Sequence, residues 1–141
     1  MPGDLSSLTW VESGNQSNEQ LCVEQPENKS MQFSYVYYAA LNFRDVMLAS
    51  GRLASDTIPG KSAGPECLLG MEFAGRLKDG SRVMGILPAQ SLATTVVYDK
   101  EYAWNVPENW SLQDAATVPV AYSTAYYALV VRGQICHGEK V

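Results

Sequence analysis

Histidine is almost missing from this sequence: His137 is the single one in 141 residues, and it lies near the C-terminal end. The three cysteines, Cys22, Cys67 and Cys136, are far apart and form no CxxC pair. A structural zinc site needs clustered Cys and His ligands, so this inventory argues against one. An odd number of scattered cysteines also argues against disulfide stapling and fits a reducing, cytosolic setting. Basic residues are few, with 10 Lys plus Arg against 15 Asp plus Glu and a net charge of -5. Nucleic-acid binding needs clustered cations to neutralise phosphates, so no nucleic-acid partner is expected. An anionic membrane surface is disfavoured for the same reason. No apolar run approaches the roughly 20 residues of a membrane span. Residues Met1 to Trp10 have neither a basic start nor an apolar stretch, so they do not read as a secretory signal.

What remains is an ordinary globular composition, 46% hydrophobic, at a length that fits one domain. Residues 11–30 are the most polar stretch and read as a long loop around Leu21 to Val23. From Met31 the pattern alternates, with Phe33, Tyr35 and Tyr37 set between Gln32, Ser34 and Val36, which predicts a strand. Asn42 to Gly51 reads as a short helix, with Asn42 as N-cap, Asp45 in the first turn and Gly51 at the end. Residues 51–66, with Gly51, Pro59, Gly60, Gly64 and Pro65, read as loop. Strand-like runs follow at 68–77 and 82–87, joined through Asp79-Gly80 as a hairpin, then at 92–98 and 102–106.

After Pro107 the pattern turns helical. Ser111 and Asp114 match a capping box, and Ala115, Ala116 and Val118 continue that turn until Pro119 breaks it. Ala121 to Arg132 predicts a second, largely buried helix ending at Gly133. Glu139 to Val141 reads as the first step of another strand. Short strands with Gly/Pro turns followed by helices predict a small β-barrel-like domain joined to the beginning of something else.

Four segments, taken in order, resemble the medium-chain dehydrogenase/reductase superfamily. They are Leu41 to Asp45, Gly70 to Gly75, Gly80 to Val83, and Val106 to Tyr126. The Asn42-Phe43-Arg44-Asp45 segment is similar to the enoyl reductases of fatty acid and polyketide synthases. Gly3 to Trp10 and Ala121 to Gly133 look closer still to the enoyl reductase region of animal fatty acid synthases. The resemblance implies a mainly β fold with helices: a GroES-like β-barrel-type domain and the connecting helix toward a Rossmann domain that this sequence does not contain. The implied divisions are residues 1–30 as an N-terminal strand and polar loop, 31–118 as the GroES-like substrate-side domain, and 119–141 as the connecting helix and the start of the nucleotide-binding domain. No GxGxxG turn is present to hold a pyrophosphate.

The same resemblance implies an NADPH-dependent reduction of the α,β double bond of enoyl thioesters carried on acyl carrier protein, within a cytoplasmic, homodimeric, multidomain synthase. In zinc-dependent relatives a Cys stands at the place of Asn42 and a His at the place of Met71, so the expectation is NADPH without zinc. Asn42 and Thr124 are the candidate cofactor-binding residues. Asn42 also reads as a plain helix cap, and Thr124 as a helical Thr bonded to a carbonyl one turn back. Tyr122, Tyr126 and Tyr127 read as packing residues. Glu72 reads as a half-buried ion-pair partner, and Arg44 as a solvent-facing or ion-paired residue. Leu53 stands where polyketide enoyl reductases often carry a Tyr proton donor, which points away from that branch. No catalytic acid is assigned here, because the resemblance puts the candidates in the nucleotide-binding half. Two other readings stay open: a zinc-free quinone oxidoreductase of the same superfamily, and a GroES-like binding or assembly module.

Overall fold

The structure is a computed structural model that describes residues 31–54 and 69–141. The expectations for residues 1–30 and most of 51–66, together with Cys22 and Cys67, lie outside the described residues.

Five strands form one antiparallel sheet: β1 (Met31–Tyr38), β2 (Glu72–Arg76), β3 (Arg82–Ile86), β4 (Thr95–Asp99) and β5 (Ala103–Asn105). Their order across the sheet is β4-β1-β2-β3-β5. The Asp79-Gly80 hairpin joins β2 to β3, with Gly80 at φ 87° and the Leu77 N–H bonded to the Ser81 carbonyl at 2.9 Å. Strands β2, β3 and β5 are shorter than their strand-like runs, because the runs extend past the residues that find a neighbour.

The pairing assigns faces. Phe73, Val83, Val96 and Tyr98 form one core cluster, with Val36 packed on it. Ala74 and Met84 pack instead with Val106, Ala115 and Ala116. That second cluster is closed by α2 (Leu112–Ala115). Along β1 the alternation of the sequence is kept, and the inward side is the one with Ser34 and Val36, not the aromatic one. Ser34 is fully buried, while Phe33, Tyr35 and Tyr37 are exposed on the opposite side. The Ser34 hydroxyl tolerates this because it donates to the carbonyl of Arg76 at 3.2 Å.

Helix α1 (Phe43–Ala49) follows β1, and α3 (Pro119–Tyr126) follows α2 and continues as a π-helical segment, Tyr127–Arg132. Pro119 ends the preceding turn and also begins α3 at its first position, where its missing N–H costs nothing. The expected burial of this second helix is corrected: Tyr122, Tyr126, Tyr127, Val130 and Val131 are all exposed. Nothing among the described residues covers them, so these tyrosines do not serve as core packing here. Glu139 to Val141 form no strand, since no described strand pairs with them. No helix of the described residues is long and apolar enough to cross a membrane.

Candidate functional site

Asn42 is the N-cap of α1, in extended geometry at φ -104° and ψ 162°. Asp45, expected only as a first-turn charge, also caps it: the Asn42 N–H donates to Asp45 Oδ2 at 2.9 Å. Asp45 does more than complement the helix dipole. It is 2% exposed, and its other oxygen, Oδ1, accepts the N–H of Gly70 at 2.9 Å. That bond ties the start of α1 to the segment entering β2.

Gly70 is required at this crossing. Its φ is 89°, and a Cβ there would lie 2.3 Å from the Leu92 nitrogen and 2.4 Å from Ser91 Oγ. The crossing is stitched on that side too. Ser91 is fully buried, and its hydroxyl donates to the main-chain carbonyl of Glu72 at 2.9 Å.

The Glu72 side chain is where the sequence reading needs correction. It is 2% exposed, not half buried. Its partners among the described residues are not cations. Oε1 accepts Asn42 Nδ2 at 2.9 Å, and Oε2 accepts the N–H of Val120 at 2.8 Å. A buried carboxylate is costly unless its oxygens are hydrogen-bonded. Charge-assisted bonds of about 1.5–3 kcal/mol each offset that cost at both Asp45 and Glu72. Asn42 is therefore gripped twice, at its backbone by one buried carboxylate and at its amide by another.

Thr124 stands on α3 one turn beyond Val120, on the same side of the helix. It is exposed, and its hydroxyl has no partner among the described residues, so the back-bonded alternative does not hold. The structure shows no direct contact between Thr124 and Asn42; Glu72 links their two helices. Arg44 is neither free nor ion-paired among the described residues: Nη2 donates to the Pro88 carbonyl at 2.6 Å. Leu53 is partly buried just after α1. His137 and Cys136 are exposed. Two concave places, one lined by Leu129, Gly133 and Ile135 and one by Trp110, Thr117 and Tyr122, do not include Asn42.

No protein-family model matches the chain. Reducing polyketide synthase rdc5 of Metacordyceps chlamydosporia is 31% identical over 140 residues, covering 99% of this chain and 6% of that protein. The crystal structure of CurK enoyl reductase superposes with a TM-score of 0.68 at 28% identity, covering 78% of this chain and 37% of that one. The quinone oxidoreductase of Thermus thermophilus, solved also in complex with NADPH, gives a TM-score of 0.64 at 30% identity, covering 79% and 35%. The chain spans about a third of the quinone-oxidoreductase relatives it matches and a few per cent of the polyketide synthases. The fold is thus the GroES-like one of the medium-chain dehydrogenase/reductase superfamily, and along this stretch the chain is enoyl-reductase-like.

Proposed function

We propose that this chain is the substrate-side part of an NADPH-dependent enoyl reductase, acting on enoyl thioesters of an acyl carrier protein within a fatty acid synthase. The observation that carries the reading is Asn42 at the start of α1, held at its backbone N–H by Asp45 and at its side-chain amide by Glu72, which also ties it to the helix that bears Thr124. Residues 119–141 are read as the helix connecting to a nucleotide-binding half, which accounts for their exposed apolar side chains. The fatty acid branch over the polyketide branch rests on Gly3 to Trp10, Ala121 to Gly133 and Leu53.

The residues present fit only the nicotinamide end of the cofactor. Asn42 and Thr124 offer an amide and a free hydroxyl, whereas the sequence has no GxGxxG pattern for a pyrophosphate. NADPH, when bound, supplies the hydride that goes to Cβ of the thioester. Asn42 and Thr124 would hold its carboxamide, through an amide and a hydroxyl, and so restrict how the ring is presented. Asn42 and Met71 offer neither a thiolate nor an imidazole, the ligands zinc favours, and we read the site as zinc-free.

The test is reduction of a crotonyl thioester, followed by loss of NADPH absorbance. A polypeptide that joins this chain to its nucleotide-binding half is expected to turn over, and the 141-residue chain alone is expected neither to turn over nor to retain NADPH. Firm NADPH binding by the short chain, or a long polypeptide that reduces no enoyl thioester, overturns the reading. A second reading, quinone reduction, is favoured by the likeness to the Thermus enzyme. Faster turnover of a benzoquinone than of the thioester would select it.

A further inference from the structure

Glu72 is an expensive residue for its position. It opens β2, is 2% exposed, and has no basic side chain against it among the described residues. If the position only filled space, an apolar side chain would do so at lower cost. A carboxylate gives something an apolar group cannot: two acceptor oxygens and no donor. Facing one of those oxygens, the Asn42 side chain must present its nitrogen, because its carbonyl oxygen would be repelled. The other oxygen takes the Val120 N–H, the first N–H that α3 has to offer, since Pro119 before it carries none.

We infer that Glu72 is a positioning residue: it sets which way the Asn42 amide points and holds the start of α3 against it, so that Asn42 and Thr124 keep one spacing. The role toward a cofactor rests on the reading above, in which these two side chains meet the nicotinamide carboxamide. The two bonds themselves do not depend on that reading.

The experiment therefore has two arms. The first uses the isotopically labelled 141-residue chain. The Asn42 side-chain NH2 is expected to be protected from hydrogen exchange. Glu72→Gln is expected to weaken the protection, because the new amide has a single acceptor oxygen for which Asn42 Nδ2 and the Val120 N–H must compete. The double variant Asn42→Asp with Glu72→Gln restores a donor–acceptor chain, in which the glutamine NH2 donates to the aspartate and the Val120 N–H donates to the glutamine oxygen. It is expected to recover thermal stability lost in Glu72→Gln. Unprotected Asn42 in the wild type, or a double variant no more stable than Glu72→Gln, overturns the bond chain. The second arm uses the reductase polypeptide. Glu72→Gln is expected to raise KM for NADPH about tenfold, the effect of one charge-assisted hydrogen bond, with a smaller change in kcat. The same change made in an Asn42→Ala background is expected to raise KM no further. An unchanged KM, or an equal rise in both backgrounds, overturns the positioning role. If the wild-type polypeptide reduces no enoyl thioester, the functional reading falls while the first arm still decides whether Glu72 holds Asn42.

Discussion

Asp45 and Gly70, 25 residues apart, are joined by a hydrogen bond of 2.9 Å from the Gly70 N–H to a carboxylate oxygen that water barely reaches. The same carboxylate takes the Asn42 N–H. Asp45→Ala strands both donors in a buried place, and the expected loss is about 3 kcal/mol. Asp45→Asn keeps one acceptor and is expected to lose about half as much. Urea unfolding of the 141-residue chain measures both, and equal effects of the two variants would contradict the two-donor account.

Gly70 and Gly80 make a matched pair, since both have positive φ but differ in surroundings. Gly80 has open space around it, so Gly80→Ala is expected to cost about 1 kcal/mol from backbone strain alone. At Gly70 the new methyl would run into Ser91 and Leu92, and Gly70→Ala is expected to cost more than about 3 kcal/mol. Thermal melts of the two variants side by side check the difference.

Much of this is legible in the sequence. The alternation of Met31 to Tyr37 marks β1, and the Ser111/Asp114 pair marks α2, where Ser111 Oγ does accept the Asp114 N–H at 3.0 Å. Period, however, does not say which side is inward. The aromatic side of β1 faces out because Ser34 and Val36 pair with Val96 and Gly75, and Val36 packs on the cluster that holds Phe73 and Tyr98. The burial of Glu72 escapes the sequence for a related reason. Its partners lie 30 and 48 residues away, and no local pattern marks a carboxylate for burial against donors so distant. The apolar composition after Pro119 signals a need for cover, without saying that the described residues supply it.

Tyr98 predicts an alkaline limit. Its hydroxyl donates to Gln32 Oε1 at 2.9 Å, and burial first, with the negative charge of Asp79 second, raises the phenol above its ordinary value of 10.0. The folded state therefore holds this proton more tightly than the unfolded chain. Its contribution is complete below the ordinary value and is lost as pH rises through the raised one. Tyr98→Phe is expected to cost about 1 kcal/mol at neutral pH and to flatten the decline in stability above pH about 10. Denaturant midpoints across that range, wild type against variant, check the sign.

The exposed side chains of the C-terminal helical segment predict self-association. Val130 and Val131 are 44% and 50% exposed. Replacing both with Ser is expected to lower dye binding and aggregation of the 141-residue chain while changing its stability by about 0.5 kcal/mol or less. Light scattering and a thermal melt on the same samples measure the two effects separately.

The pairing of Met31 with Asp99 has a consequence for how the polypeptide is made. A ribosome extends at about 5–20 residues per second, so β1 is out of the tunnel for several seconds before its β4 neighbour exists. During that interval one long edge, carrying Phe33 and Tyr35, is open to any other nascent strand. Slowing translation between these segments, or crowding polysomes, would raise the fraction lost to aggregates, and a chaperone that shields extended aromatic edges would recover it.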